Sequence, residues 1–252
     1  MPRFFVKQEQ IEDTTVTLTG EDAHHVARSL RMAVGDSLTV CDTQGNVYEC
    51  RIEEFVDDKI VRAQIVSSSV AHTEPPMRIV LLQALPKGDK LDSVIQKAVE
   101  CGAVEIVPFE SERCVVRVKQ DAEERKTERR NRIALEAAKQ CGRSAMPTVR
   151  RTVSFEQALS IAAQAGVGLF CYEGEGTLPL GKILSERLRL DTDGRFPDVA
   201  IMVGSEGGFS PEEAKRAEQA GLIPTGLGRR ILRTETAPVF ALSCVVCFSE
   251  LL

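Results

Sequence analysis

The rhythm of apolar and polar positions changes once along the chain, near residue 72. Before that point short alternating runs dominate. Residues 37–42 (SLTVCD) read as a strand, residues 43–46 as a turn, and residues 47–55 (VYECRIEEF) as the returning strand; Asp57 and Asp58 make a second turn and residues 59–66 a third strand. A helix over residues 21–32, with Thr19 or Gly20 near its cap, precedes them. One helix with several short antiparallel strands predicts a small β-barrel. Residues 67–76 then form a polar linker bearing Pro75 and Pro76.

After the linker, apolar strands alternate with helices. Residues 77–84 read as an apolar run, broken only by Arg78 and Gln83, as in a strand buried on both faces. Residues 89–101 carry apolar positions at 91, 94, 95, 98 and 99, one face of a helix stopped by Gly102. Strands are expected over 104–109, 114–118, 167–172, 198–203 and 223–227. Helices are expected over 122–141, 155–165, 182–190, 211–220 and 236–251. Such alternation predicts an α/β domain with a mostly parallel sheet and helices on both faces.

Composition narrows the class. The 252 residues are 43% hydrophobic and 27% charged, which excludes wholesale disorder. A net charge of −5 excludes a molecule coated in basic charge but allows a local basic patch. The first ten residues show no apolar signal segment, and the longest apolar stretch, residues 237–248, is too short to span a bilayer. The expectation is a soluble cytoplasmic protein without a membrane partner. Eight cysteines sit mostly in apolar runs and read as reduced core thiols. Cys244 and Cys247 form the only CxxC, far in sequence from His24, His25 and His72, so no metal site is expected.

Two segments carry candidate chemistry. Residues 203–213 (VGSEGGFSPEE) follow a strand and open a helix; Ser210, Pro211 and Glu213 supply an N-cap, a first-turn proline and a capping-box acid. Gly204, Gly207 and Gly208 let the backbone turn tightly and approach a ligand. The segment is neither GxGxxG nor a P-loop, and Glu206 favours a cationic or hydroxyl-bearing ligand over a phosphate. Residues 227–237 (LGRRILRTETA) likewise follow a strand and enter the last helix, with Arg233 and Glu235 among small hydroxylated residues.

Taken together, these two segments resemble the SPOUT class of methyltransferases, and most closely the bacterial 16S rRNA (uracil(1498)-N3)-methyltransferase family. Supporting pieces are Lys87-Gly-Asp-Lys-Leu-Asp92 with Ile95-Gln-Lys97, Ser111-Glu-Arg113, Glu136-Ala-Ala-Lys-Gln140 with Arg143, Pro2-Arg-Phe4, and His24-His25 with Leu30-Arg31 and Gly35-Asp36. The resemblance covers nearly the whole chain. It implies a PUA-like RNA-binding barrel over residues 1–72, a SPOUT methyltransferase domain with a trefoil knot over residues 73–252, and a homodimer. It also implies S-adenosyl-L-methionine as methyl donor and N3 of one uridine in 16S rRNA, free or in the 30S subunit, as acceptor. Departures from the family pattern are Ser205 where proline is usual and Asn131 where tryptophan is usual.

The methyl donor is then expected at Tyr172 and Glu173, at Val203, Gly204, Ser205, Gly207 and Gly208, and at Leu227, Gly228, Ile231, Leu232 and Thr236. Uracil N3 is a weakly acidic imide nitrogen, so a carboxylate could take its proton and an arginine could stabilise charge on the flanking carbonyls. Glu206, Glu235 and Arg233 are the catalytic candidates, with the identity of the base left open between the acids. RNA phosphates are expected on Arg3, Arg28, Arg31, Lys87, Lys90, Arg113 and Arg143. The charged run 125–132 interleaves both signs and reads as a solvated helix face. Two other classes compete. A dinucleotide oxidoreductase lacks its glycine fingerprint here, and a binding-only RNA module would not need the long second domain with its two loops.

Overall fold

The computed structural model describes residues 1–42, 44–57, 59–118 and 120–252. The chain divides into two units, Met1–Glu74 with Ala138–Met146, and Pro75–Ala137 with Pro147–Leu252.

The first unit is a six-stranded sheet. Its strands are β1 (Arg3–Phe5), β2 (Ile11–Glu12), β3 (Thr15–Thr19), β4 (Ser37–Cys41), β5 (Asn46–Asp57) and β6 (Ile60–Val70). They lie in the order β1-β4-β5-β6-β3-β2, parallel only at β1–β4. No pair joins β1 to β2 among the described residues, so strand pairing does not close the expected barrel. Alternate residues point inward, as the period of two requires. Phe4, Val16, Leu18, Leu38, Val40, Ile52 and Val61 form the core with Ala23 and Val26. The helix expected over 21–32 is shorter: α1 (Gly20–His24) passes into a π-helical turn at His25–Ser29. Thr43 and Asp58, each part of an expected turn, lie outside the described residues.

The Glu74 carboxylate makes most of the bonds that hold residues 138–146 to this unit. Glu74 Oε2 accepts from Arg143 Nε at 3.0 Å and also from Arg143 Nη2. Its Oε1 accepts from the backbone N–H of Ser144 and Ala145 at 2.9 and 3.0 Å and from the Ser144 hydroxyl at 3.2 Å. Arg3 adds a bond to the Arg143 carbonyl, and Lys139 pairs with Asp22 while lying over the Phe4 ring.

The second unit is an α/β sheet with every pairing parallel. Its elements are β7 (Ile79–Ala84), α2 (Lys90–Glu100), β8 (Glu105–Glu110), α3 (Gln120–Cys141), β9 (Thr148–Val149), β10 (Val153–Ser154) and α4 (Phe155–Ala162). The chain continues through β11 (Val167–Cys171), β12 (Leu178–Pro179), α5 (Leu180–Arg187), β13 (Val199–Val203), α6 (Pro211–Gln219), β14 (Ile223–Gly226) and α7 (Ala237–Val246). A π-helical turn, Cys247–Leu251, prolongs α7. The strand order is β10-β8-β7-β13-β11-β14-β12, with β9 also on β8. The fully buried strands β7 and β13 are apolar for this reason, save for Gln83 in β7. The later strand β13 inserts between β7 and β11, which places a topological switch in the middle of the sheet.

Two local readings change. Residues 114–118 are not a strand; Glu110 accepts from the Val118 backbone and Arg117 donates to the carbonyls of Ser111 and Glu112, so side chains hold this segment as a loop. Asn131 takes a definite role. Its Nδ2 donates to the carbonyls of Thr127 and Val149, and its Oδ1 accepts from the Val149 N–H at 2.9 Å, clamping β9 to α3.

Desolvation raises the Glu74 carboxyl, but the Arg143 and backbone hydrogen bonds outweigh it and hold it below the ordinary carboxylate range. The unfolded chain therefore binds the proton more readily, and the contribution of Glu74 is present above the ordinary carboxylate value and lost as pH falls through the folded one. Glu74→Gln should cost about 3 kcal/mol in denaturant unfolding at pH 7, since it removes the carboxylate charge that faces a buried guanidinium. The gap to wild type should narrow as the solution is acidified.

Candidate functional site

Three adjacent strands, β13, β11 and β14, end on the same side of the sheet, and the loops that leave them enclose a cavity of about 760 Å³. Ligands in open parallel sheets sit at the carboxyl ends of strands, beside a switch in strand order. The first loop contributes Tyr172, Glu173, Gly174 and Thr177; the second runs from Val203 to Pro211; the third runs from Gly226 to Thr234.

The second loop is shaped by its glycines and anchored by its phenylalanine. Gly208 has φ +63°, and a Cβ on Gly204 would lie 3.2 Å from the Gly208 backbone. A Cβ on Gly207 would lie 3.0 Å from Cβ of Arg113, whose Nη1 donates to the Gly207 carbonyl at 3.0 Å. Phe209 leaves the loop into the core, 4.2 Å from the Phe170 ring centroid and stacked parallel to Phe109 at 6.3 Å. Ser210 then caps α6 in a capping box with Glu213, as expected. The box also reaches the 111–113 loop. The fully buried Glu213 accepts from the Glu112 N–H at 2.8 Å, and the Ser210 hydroxyl donates to Glu112 Oε2 at 2.6 Å.

The second and third loops meet beneath the cavity. The Gly204 carbonyl accepts from the Thr234 hydroxyl at 2.8 Å and from Gln83 Nε2 at 3.2 Å. Gln83 Nε2 also donates to Thr234 Oγ1 at 3.1 Å and to the Ala84 carbonyl at 2.9 Å. Gln83 is fully buried at the end of β7, so this triangle fixes both loops to the sheet. The Ser205 hydroxyl is buried with no protein partner, although the residue lines the cavity.

Charge is arranged unevenly. Lys90 Nζ lies 2.9 Å from Glu206 and 3.3 Å from Glu235, and the Lys87 N–H donates to both Glu206 oxygens at 3.2 and 3.3 Å. Desolvation raises Glu206, but the hydrogen bond from Lys90 and the backbone N–H bonds outweigh it and hold its carboxyl below the ordinary range. The hydrogen bond to Glu206, reinforced by Glu235, holds Lys90 above the ordinary lysine value. Burial pushes the Cys171 thiol up to about 12, so this cavity-lining cysteine stays protonated and is no nucleophile.

Of the sequence-predicted residues, Tyr172, Glu173, Val203, Gly204, Ser205, Gly207, Gly208, Leu227, Gly228, Ile231 and Leu232 all line the cavity, as do Glu206 and Arg233. Thr236 does not; it stands at the N-terminus of α7, where its N–H donates to the Arg233 carbonyl. Glu235 is outside the lining and reaches it through Lys90. The candidate RNA cations divide between the units: Arg3, Arg28, Arg31 and Arg143 in the first, Lys87, Lys90 and Arg113 in the second. Arg143 is 3% exposed and engaged by Glu74, and Lys90 is spent between two acids, so neither is offered to a phosphate in this arrangement. Sequence reading missed Gln83 and Thr177. Polar Gln83 inside an apolar strand was the available signal for the first.

The family model described as an RNA methyltransferase domain matches residues 73–246, and that of an RNA methyltransferase PUA domain matches residues 18–66. The chain is 34% identical to the ribosomal RNA small subunit methyltransferase E of Bacillus subtilis, over 100% of this chain and 98% of the relative. A crystal structure of a ribosomal RNA small subunit methyltransferase E from Neisseria gonorrhoeae bound to S-adenosyl methionine superposes with TM-score 0.83 at 29% identity, covering 98% of this chain and 97% of that one. A Legionella pneumophila methyltransferase structure with bound cofactor SAM gives TM-score 0.83 at 32% identity, with 96% of each chain covered.

Lys90→Met should move the Glu206 carboxyl titration, followed by carboxylate ¹³C shifts, upward toward the ordinary value. An unmoved midpoint would show that the Lys87 N–H alone holds the carboxylate.

Proposed function

The chain belongs to the RNA methyltransferase family that includes the small-subunit ribosomal RNA methyltransferases E, and from this premise we propose that it transfers the methyl group of S-adenosyl-L-methionine to N3 of uridine 1498 in 16S rRNA. The observation that carries the reading is the cavity itself, walled by three loops at the ends of parallel strands and bearing residues of both segments that carry the resemblance.

The residues present fit the methyl donor. Gly204, Gly207 and Gly208 bring bare backbone to the wall, the buried Ser205 hydroxyl has no protein partner, and Glu173 offers a carboxylate to a cationic, hydroxyl-bearing nucleoside. When bound, the donor supplies an electrophilic methyl group on a sulfonium leaving group. Tyr172, Glu173 and Thr177 on one side and Leu227, Gly228, Ile231 and Leu232 on the other would hold it.

The acceptor nitrogen must lose a proton as it is methylated. Glu206 is a poor acceptor for it, because Lys90 and the Lys87 N–H stabilise its charged form. Glu206 and Glu235 therefore act as anchors that tie both loops to the N-terminus of α2 through Lys90. Arg233, exposed in the lining and not engaged by the acids, is the group that stabilises negative charge spreading onto the uracil carbonyls. N3 lies on the pairing edge, so the uridine must be presented unpaired or flipped.

The same reading makes residues 1–72 an RNA-binding domain and residues 73–252 a knotted methyltransferase domain that acts as a homodimer in the cytoplasm. No helix among the described residues is long and apolar enough to cross a membrane. A pairing of two chains is favoured by α7, which is apolar nearly all round yet leaves Phe240 39% exposed.

Methyl transfer from labelled S-adenosylmethionine to unmodified small subunits and to naked 16S rRNA tests the proposal. N3-methyluridine at position 1498 alone is expected, with Arg233→Gln lowering kcat by roughly 100-fold. A different methylated nucleoside would overturn the site, and no transfer to either substrate would overturn the activity.

A further inference from the structure

The third loop carries more positive charge than methyl transfer needs. Arg229, Arg230 and Arg233 fall within five residues, all three are exposed, and all three line the cavity. Among the described residues, none of their guanidinium groups takes part in a hydrogen bond or ion pair. Glu206 of the second loop and Glu235, two residues past Arg233, pair with Lys90 instead. The lining as a whole holds five cations, Lys90, Arg113 and these three, against two carboxylates, Glu173 and Glu206, in a chain whose net charge is −5.

Such an excess is not structural. Arginines that stabilise a fold do so by meeting carboxylates or carbonyls, as Arg143, Arg130 and Arg113 do in this molecule. Unpaired guanidinium groups beside one another repel, and Gly228, at φ +110°, sets the loop on this course. What relieves the repulsion is an anion of extended shape. A guanidinium offers planar, paired donors that match two phosphate oxygens, and neighbouring arginines match neighbouring phosphates.

We infer that Arg229 and Arg230 clamp the phosphodiester backbone of the RNA strand next to the target nucleotide, holding that base over the cavity. The inference rests on the RNA methyltransferase reading above and adds substrate-positioning residues to it. The clamp explains how an acidic protein engages RNA at its cavity: Lys90 is held by Glu206 and Glu235, and the exposed cations of the third loop are left for the strand. Arg233, four residues on from Arg229, is then carried to the base by the same loop that grips its backbone.

The test uses the full chain with unmodified 16S rRNA and small subunits. Arg229→Ala/Arg230→Ala should raise KM for RNA about tenfold, with kcat within threefold of wild type and S-adenosylmethionine affinity by calorimetry within twofold. The slope of log affinity for RNA against log salt should flatten by about 1.4, at roughly 0.7 per phosphate contact with single strands. Arg229→Lys/Arg230→Lys should keep the salt slope, because the charge remains. An unchanged RNA KM and slope would overturn the clamp while leaving the activity intact. A parallel loss of S-adenosylmethionine affinity would overturn it in favour of a contact with the carboxylate of the methyl donor. Failure of the wild-type chain to methylate either RNA would instead remove the reading on which the clamp stands.

Discussion

The site depends on one carbonyl. Gly204 closes β13 and opens the glycine loop, and its oxygen accepts from Thr234 on the third loop and from Gln83 on β7. All three groups are buried, where an unmet carbonyl costs more than a hydrogen bond gains in water. The network therefore leaves the two loops little freedom to separate. The cavity between them keeps its shape because its floor is bonded, while its exposed side is left to charged side chains.

Electrostatics then divides the cavity into two functions. Lys90 closes the acidic side by bridging Glu206 and Glu235, one from each loop, and the pairing lowers the basicity of the carboxylate that sequence alone marks as a candidate base. The cationic side stays open. A weakly acidic imide nitrogen is methylated more readily where its developing anion is met by arginine than where a stabilised carboxylate must first take its proton. For the proposed reaction, this arrangement supports charge stabilisation over strong general-base catalysis.

Much of this was legible in the sequence because it rests on local patterns. The apolar runs at β7 and β13, the amphipathic face of α2 and the Ser210–Glu213 cap each follow from neighbouring residues, and each stands where the pattern put it. What failed depended on side-chain partners that no periodicity shows. Residues 114–118 look like a strand, but among the described residues no strand pairs with them; nearby side chains hold the loop instead, Glu110 accepting from the Val118 N–H and Arg117 donating to the Ser111 carbonyl. Arg143 looks like a phosphate ligand until Glu74, 69 residues earlier, engages it. Lys90 looked free for RNA because nothing local shows that two loops more than 110 residues away bring their acids to it. The two-residue strands β9, β10 and β12 are too short for any periodicity.

The central claim is that the bonded floor holds the cavity ready for its methyl donor, and Thr234 tests it most directly. S-adenosylmethionine affinity should be measured by calorimetry for Thr234→Val and Thr234→Ser. The valine keeps the shape and removes the hydroxyl, so it should bind at least tenfold more weakly, about 1.4 kcal/mol, whereas the serine should stay within threefold of wild type. Wild-type affinity in the valine variant would show that the bond between the loops is not what shapes the site.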